Sequence, residues 1–552
     1  DEDKTSLVAP IEMKKRKESI GSSWVWKHFR KKEDGDKEFV FCSLCSKDVK
    51  YGLSRSTGVL QRHIRVHHRD VYEGGESENR EKKKAKIVAT TFTVEPSDLD
   101  SLSPLSFSSV PLNYEFLEEF FAADGYPINT LTDKIKSLSL IVEPSVIFAR
   151  RMLHKHPELM YKEKKTSQII QHILKDVIGV PFTTGWGRNI HSSNSNNDHG
   201  GHGIVVDLGT GHSPCVLLRA DMDGLPITEE TTSRHGCCTS HTPGLMHACG
   251  HDAHMAMLLG ATAILKHLEQ HIHGTIRIIF QPAEEGGAGA KRMIEEGVLS
   301  NHPPVQHAFA MHVWPTLPSG VIGGRRGSVL SAVENFTMSI TGVGGHAAMP
   351  HLTIDPVVAA SAMVLGAQTL VSRRLSPLES GVLSITQIDT GRGNAMNVIP
   401  ASVTLGGTIR ALSTDSLSSL RNQFMQFAEQ CALSHGCSVT NLSFSPDSYP
   451  PTINDTELWD FASQVASSVA IDTKVVEVEP TMGAEDFAFI AEKIASAFFF
   501  LGQGSGVDPP TNYGLHHPKF AVDESILVQG VQLHVNLALC TLKKLTCESN
   551  FV

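Results

Sequence analysis

The sequence predicts an α/β fold with a mostly parallel sheet, a smaller α+β segment inserted into it, and a separate compact module near its start. Three observations carry that expectation. From about residue 135, strand-like runs alternate with helical ones, the order that lays helices on both faces of a parallel sheet. The run 275–280 is β-branched and apolar, suited to a strand buried on both faces. Residues 20–70 are rich in aromatic, Cys and His residues, whereas 71–130 turn charged and then Ser- and Pro-rich.

Taken in order, 20–70 form the compact module and 71–130 a linker that cannot bury much apolar surface and is expected to be disordered. The patch 117–121 within it reads as a short docking helix. Residues 131–327 are the first part of the main body, with helices over 144–160 and 167–177 and strands over 204–208 and 216–219. A helix over 253–268 and strands over 275–280 and 308–311 complete it. The insertion, 328–445, interleaves strands at 335–340, 381–386 and 402–410 with helices at 356–371 and 413–433, a pattern that suits a small α+β domain. The body resumes over 446–545, with helices at 457–469 and 483–492 and a last helix from 523 to about 542.

Composition narrows the class. The 552 residues are 41% hydrophobic and 20% charged, with 45 Gly and 27 Pro, which excludes a disordered chain, a collagen-like repeat and a disulfide miniprotein. The longest nearly apolar run, 357–371, is interrupted by Ser361, Gln368 and Thr369 and falls short of the roughly 18 residues of a membrane span. No transmembrane segment and no membrane partner are expected. Residues 1–90 hold 21 Lys+Arg against 15 Asp+Glu, while the whole chain carries −10, so a basic head precedes an acidic body. Ten Cys do not make a disulfide framework, and Lys14-Lys15-Arg16-Lys17 stands where a signal peptide would be apolar. A reducing compartment, cytosol or nucleus, is expected.

In the head, Cys42 and Cys45 are followed by His63 and then by His67 or His68. A two-residue gap lets a turn present both thiolates to one ion, and two His four apart share a helix face, so one structural zinc is expected. The aromatic entry Trp24-Val25-Trp26-Lys27-His28-Phe29, the Cys pair and Leu60-x-x-His63 together resemble a BED-type zinc finger. The resemblance implies duplex DNA as a partner, with Lys27, Arg30, Arg55, Arg62 and Arg65 as phosphate or base contacts. A folding staple or a protein-docking module is the alternative.

In the body, His247-Ala248-Cys249-Gly250-His251-Asp252 sets a thiol and an imidazole either side of a glycine, so both can turn toward one ion. The strand 275–280 runs into Glu284-Glu285, where one carboxylate can bind metal while the other handles protons, and the strand 308–311 ends at His312. Ligands at the C-terminal ends of parallel strands are where open α/β sheets build sites.

These motifs, with Arg219-Ala220-Asp221-Met222-Asp223, Gly345-His346-Ala347-Ala348, Asn397-Val398-Ile399-Pro400, Met482-Gly483-Ala484-Glu485-Asp486 and Leu515-His516-His517-Pro518, resemble the di-metal amidohydrolase family. That family includes hippurate hydrolases, N-acyl-amino-acid amidohydrolases and plant auxin-conjugate hydrolases, and the resemblance spans about 140–540. It implies two divalent ions held by Cys249, His251, Glu285, His312 and His516, with His516 chosen over His517 by its place in the motif. A thiolate ligand favours zinc over magnesium, the mixed donor set admits cobalt, and the auxin-conjugate branch leans to manganese. Glu284 would be the general base, Asp221 would orient a ligand, and His346 of the insert would stabilise the tetrahedral oxyanion. Asn397 and Arg410 would hold the substrate's carboxylate or amide, with a structural salt bridge the alternative for Arg410.

The expected activity is hydrolysis of the amide of an N-acyl amino acid, a small-molecule substrate, by a monomer or by a homodimer paired through the insert, which would also act as a lid. Two alternatives stand beside it. One is a DNA-binding protein with an inactive hydrolase-like scaffold, the other a carboxypeptidase acting on short peptides.

Overall fold

The computed structural model describes residues 115–122, 127–189, 199–231, 238–391, 395–470, 475–506 and 510–549, together with the backbone of three short strands near the start. The chain divides into two units, 1–95 and 96–552. In the first, β1 (Phe29–Lys31), β2 (Phe39–Cys42) and β3 (Lys47–Lys50) form an antiparallel sheet in that order, and Cys42 closes β2 opposite Lys47. Cys45, His63, His67 and His68 lie outside the described residues, as do linker residues 71–114.

In the second unit, α1 (Glu115–Ala122) buries Phe116, Leu117 and Phe120, a docked helix inside the stretch expected to be disordered. Next come α2 (Ile128–Lys155) and α3 (Lys164–His172). The helix expected from residue 144 begins at 128 instead. Leu131, Ile135, Leu138, Val142 and Val146 carry one buried stripe straight through Pro144, and that burial offsets the hydrogen bond a mid-helix proline forfeits.

One sheet of eight strands organises the body. Chain order supplies β4 (Thr183–Arg188), β5 (Gly200–Gly209), β6 (Cys215–Asp221), α4 (His251–His267), β7 (Thr275–Gln281), α5 (Gly289–Glu295), β8 (His307–Pro318), β9 (Ile322–Gly324) and β10 (Gly327–Leu330). After the insertion come β17 (Thr452–Asn454), α8 (Thr456–Ser467), β18 (Val476–Glu477), α9 (Ala488–Ala491), β19 (Ala495–Gly504) and α10 (Leu527–Ser549). The strand order is β18-β9-β19-β8-β6-β7-β5-β4, with β19, β8, β6 and β7 mutually parallel. α2, α4 and α10 pack on one another. α4 approaches its neighbours so closely at Gly260 that a Cβ there would stand 2.5 Å from Val146 and 2.8 Å from Val531.

Two expectations need correction here. β19, which carries Phe498-Phe499-Phe500, was not anticipated, and the helix expected over 483–492 shrinks to α9 because Glu485 and Asp486 turn inward to a buried arginine. By length and hydropathy the segment 524–548 could cross a membrane, but 89% of its most apolar window is buried inside the body. It is a core helix.

The insertion is a separate layer. β11 (Ala332–Thr341), β13 (Gly381–Asp389), β15 (Ser402–Ala411) and β16 (Ser438–Phe444) make an antiparallel sheet in the order β13-β15-β11-β16. α6 (Pro356–Thr369) and α7 (Thr414–Ser434) cover it, closing a core around Phe336, Met338, Leu405 and Phe424. A two-strand ribbon, β12 (Gly345–His346) with β14 (Val398–Ile399), projects from it.

α10 also carries an acid-sensitive group. Burial pushes His534 down to about 3 from 6.5, and its Nδ1 has no hydrogen-bond partner. Between those two values the unfolded chain binds a proton that the folded chain refuses, so this residue's contribution to stability is lost as pH falls from 6.5 toward 3. His534→Leu is therefore expected to shift the acid-unfolding midpoint to lower pH; a midpoint equal to wild type contradicts this.

Candidate active site

β6 and β7 end abreast, Asp221 opposite Gln281, and the functional side chains gather just beyond. β8 pairs with β6 only as far as Ala310, so His312 lies inside β8 but beyond the last residue paired with β6, at the crevice. At the start of α4, Gly250 sits at φ 90°, and a Cβ there would meet Val313 at 2.4 Å. Only glycine fits, and the left-handed step turns Cys249 and His251 into the same crevice. His516 is held at φ 63° with its amide donating to the Ala248 carbonyl at 2.8 Å.

The five expected ligands come together. The donor atoms of Cys249, His251 and His312 lie within 4.8 Å of one another, as do those of Cys249, Glu285 and His516, and Cys249 belongs to both groups. Its Sγ is 3.3 Å from His312 Nε2, and His516 Nε2 is 3.1 Å from Glu285 Oε1. His517 instead stacks on Tyr513 and accepts the Lys519 amide. His312 donates Nδ1–H to the Val313 carbonyl at 2.8 Å, which leaves its Nε2 lone pair aimed at Cys249.

Two divalent ions fit this donor set. Buried His251 makes no hydrogen bond through either ring nitrogen, though Asp223 Oδ1 is 3.4 Å from Nδ1 and Asp221 Oδ2 is 3.6 Å from Nε2. Other nearby groups are already satisfied. His254 donates to Asp221 Oδ1 at 2.7 Å and accepts the Val313 amide at 3.0 Å. Arg219 donates to Gln281, Asp221, Glu485 and Asp486 at 2.7–2.9 Å, so the Glu284–Glu485–Asp486 group contains a guanidinium's carboxylates.

Charge makes the same case. Glu163, Asp221, Asp223, Glu284, Glu485 and Asp486 are buried, with Arg219 the buried guanidinium among them. Burial first, then Glu485 and Glu285, pushes the Glu284 carboxyl well above the usual range. Burial, then Glu285 and Glu284, likewise raises the Cys249 thiol. His251 would be lowered by burial, yet Asp221 and Asp223 carry it up to about 10. Cations are what this surplus of negative charge lacks.

The turn carrying Glu284 and Glu285 is gripped from several sides. Asp223 accepts both of their amides at 3.0 and 2.9 Å, Glu163 accepts the Ala283 amide at 2.9 Å, and Tyr161 donates to the Gly287 carbonyl. Glu163, His254 and Tyr449 escaped the motif reading, and Arg219 and Asp223, though inside the 219–223 motif, were given no role, although Asp221-Met222-Asp223 is the alternation by which a strand end aims two carboxylates the same way.

A cavity of about 470 Å³ opens over the cluster, lined by Cys249, Glu284, Glu285, His312 and His516 on one side and by Trp314, Leu330, Phe498 and Phe500 among its apolar walls. Arg410 lines it from the insert, half-buried, donating to the Met482 carbonyl at 2.7 Å with no carboxylate within salt-bridge distance among the described residues. His346 and Asn397 do not line it. They stand together, exposed, on the β12–β14 ribbon, where the Ala347 amide donates to the Asn397 carbonyl at 3.0 Å.

A thiol, three imidazoles and a carboxylate around one crevice, with a spare buried Glu beside them, define the class as an α/β metallohydrolase. Known proteins narrow it. Residues 217–539 match peptidase family M20/M25/M40, and residues 23–69 match the BED zinc finger. The IAA-amino acid hydrolase ILR1-like 4 of Arabidopsis thaliana is 40% identical over 392 residues, 70% of this chain and 84% of that protein. Thermostable carboxypeptidase 1 of Saccharolobus solfataricus is 35% identical over 413 residues, 74% of this chain and 98% of that protein. Among solved structures, the Bacillus subtilis YXEP protein, a dinuclear metal-binding peptidase, superposes with a TM-score of 0.58 at 30% identity, covering 72% of this chain and 98% of that one. The chain belongs to peptidase family M20/M25/M40, and it is an amidohydrolase.

Gly250→Ala is expected to lower divalent-ion affinity by about tenfold or more, since it displaces Cys249 and His251 together. Metal titration of the folded variant reads this; wild-type affinity would contradict it.

Proposed function

We propose that this enzyme hydrolyses the amide bond of N-acyl amino acids, such as indole-acetyl or benzoyl conjugates. The observation that carries the reading is Glu284, buried at the cavity floor beside the five-ligand cluster without being one of the five. Cys249, His251, Glu285, His312 and His516 would hold two divalent ions, manganese or zinc, with cobalt also accommodated. When bound, such ions polarise the amide carbonyl and lower the pKa of a water toward about 7.

Glu284 takes a proton from the attacking water and returns it to the leaving amine nitrogen. Asp221 positions His251, and Asp223 keeps the turn in place through both its amides. Arg410, a half-buried guanidinium with no carboxylate partner among the described residues, receives the amino acid's carboxylate. Trp314, stacked on Phe500 at 4.2 Å, walls the acyl side. His346 and Asn397 take their roles only after the lid moves or a second copy of the chain brings them in.

A homodimer through the insert suits its free edge strand β13 and the solvent-facing Val358 and Leu365 of α6; sedimentation of the full chain as a monomer would exclude it. A reducing compartment, cytosol or nucleus, suits a site that depends on the Cys249 thiol.

The test is hydrolysis by the full chain of N-acetyl, N-benzoyl and indole-acetyl amino acids, with and without added manganese, beside free dipeptides. Metal-dependent release of amino acid, with kcat reduced about 10²- to 10⁴-fold in Glu284→Gln, is the expected result. Cleavage of the dipeptides alone would move the assignment to the carboxypeptidase reading that the Saccharolobus relative favours. For the head, the BED match supports duplex DNA binding. Salt-dependent retention of duplex by the full chain, abolished by Cys42→Ser, is the outcome expected, and no retention at low salt would contradict it.

A further inference from the structure

Three residues stand abreast where the lid sheet meets the catalytic half. Arg410 of β15 is opposite Val333 of β11. Val333 is in turn opposite Tyr449, on the segment that returns from the lid, and each donates its amide to the other's carbonyl at 3.0 Å. From there the Tyr449 side chain leaves the lid. Its hydroxyl donates to the Glu284 carbonyl at 2.7 Å and accepts the Ala288 amide at 2.9 Å, so one oxygen holds both arms of the turn that carries Glu284 and Glu285.

The surroundings keep that oxygen in place. Tyr449 is buried, with its ring edge-on to Phe489 at 5.5 Å. Two residues earlier, Asp447 pairs with Lys291 at 2.8 Å and with Arg292, both on the helix that follows the turn. The other groups gripping the turn, Asp223, Glu163 and Tyr161, come from the catalytic half. Tyr449 instead comes from the segment that joins the insertion back to the catalytic half, where it packs with Ala288 and Phe489.

We infer that Tyr449 is a positioning residue that couples occupancy of Arg410 to the placement of Glu284. The inference rests on the roles proposed above for those two residues. A carboxylate on Arg410 loads β15; the load passes across two backbone pairings to Tyr449, whose hydroxyl sets where Glu284 points. A misplacement of the base by an ångström costs up to about a hundredfold in rate, so one hydroxyl suffices to matter.

The test uses the full chain with manganese, the N-acyl amino acid it hydrolyses fastest, and that compound's carboxamide, which offers Arg410 no charge. Wild type should turn over the carboxylate faster in kcat. Tyr449→Phe should lower kcat for the carboxylate about tenfold or more, with KM within about twofold and metal content unchanged, while kcat for the carboxamide stays within about twofold. Equal losses on both substrates would reduce Tyr449 to a structural part, and no loss would remove it altogether; either overturns the coupling. No carboxylate preference in wild type overturns it through Arg410. Glu284→Gln run in parallel separates the cases, because activity surviving there defeats the assignment of Glu284 itself.

Hydrogen exchange gives a readout independent of turnover. Amides of 284–288 should exchange at least about tenfold faster in Tyr449→Phe while those of α4 stay unchanged, and an unaltered turn contradicts the inference. Should that variant fold poorly, Asp447→Asn, which loosens the same segment and spares the hydroxyl, must narrow the preference between substrates; an intact preference overturns the coupling.

Discussion

A surplus of buried negative charge governs this molecule. Several carboxylates converge beyond the ends of β6 and β7, and Arg219 answers only those on its own side of the crevice. Burying charge without compensation costs several kcal/mol per group, so the arrangement persists only where cations complete it. Burial first, and the neighbouring carboxylates after it, raise the Glu284 carboxyl and the Cys249 thiol, whereas for His251 the carboxylates of Asp221 and Asp223 outweigh burial.

Local chemistry made the ligands legible in the sequence. Cys249, Gly250 and His251 are consecutive and Glu284 and Glu285 adjacent, so spacing marked candidate ligands there, while the set of five with His516, and the division of roles between Glu284 and Glu285, followed from the family resemblance. Arg219, Glu485 and Asp486 stood in motifs, but their contact did not announce itself, because Arg219 meets Glu485 across 266 positions, just as Tyr449 meets Glu284 across 165. A contact made only when distant segments cross leaves no periodic trace in either segment. The same holds for the inward turn of Glu485 and Asp486, which reads as helix when taken alone. Pro144 misled for a different reason: a proline favours a helix start, and here a long buried stripe overrode that preference.

The insertion is where sequence and structure part company most. Its sheet and helices were largely foreseen, but His346 and Asn397, singled out by motif, stand in solvent on a ribbon while Arg410 reaches the cavity. A residue's motif records that it matters without recording in which conformation or assembly it acts. The insertion is joined to the body through β10, β17 and the segment holding Asp447 and Tyr449, and that segment also supports the active-site turn.

The central claim is that the five residues around Cys249 bind two ions. Anomalous diffraction from crystals of the full chain grown with manganese tests it most directly. Two peaks roughly 3.5–4 Å apart are expected, one near Cys249, His251 and His312 and the other near Cys249, Glu285 and His516. A single peak, or density beside Asp221 and His254 in place of these, would contradict it.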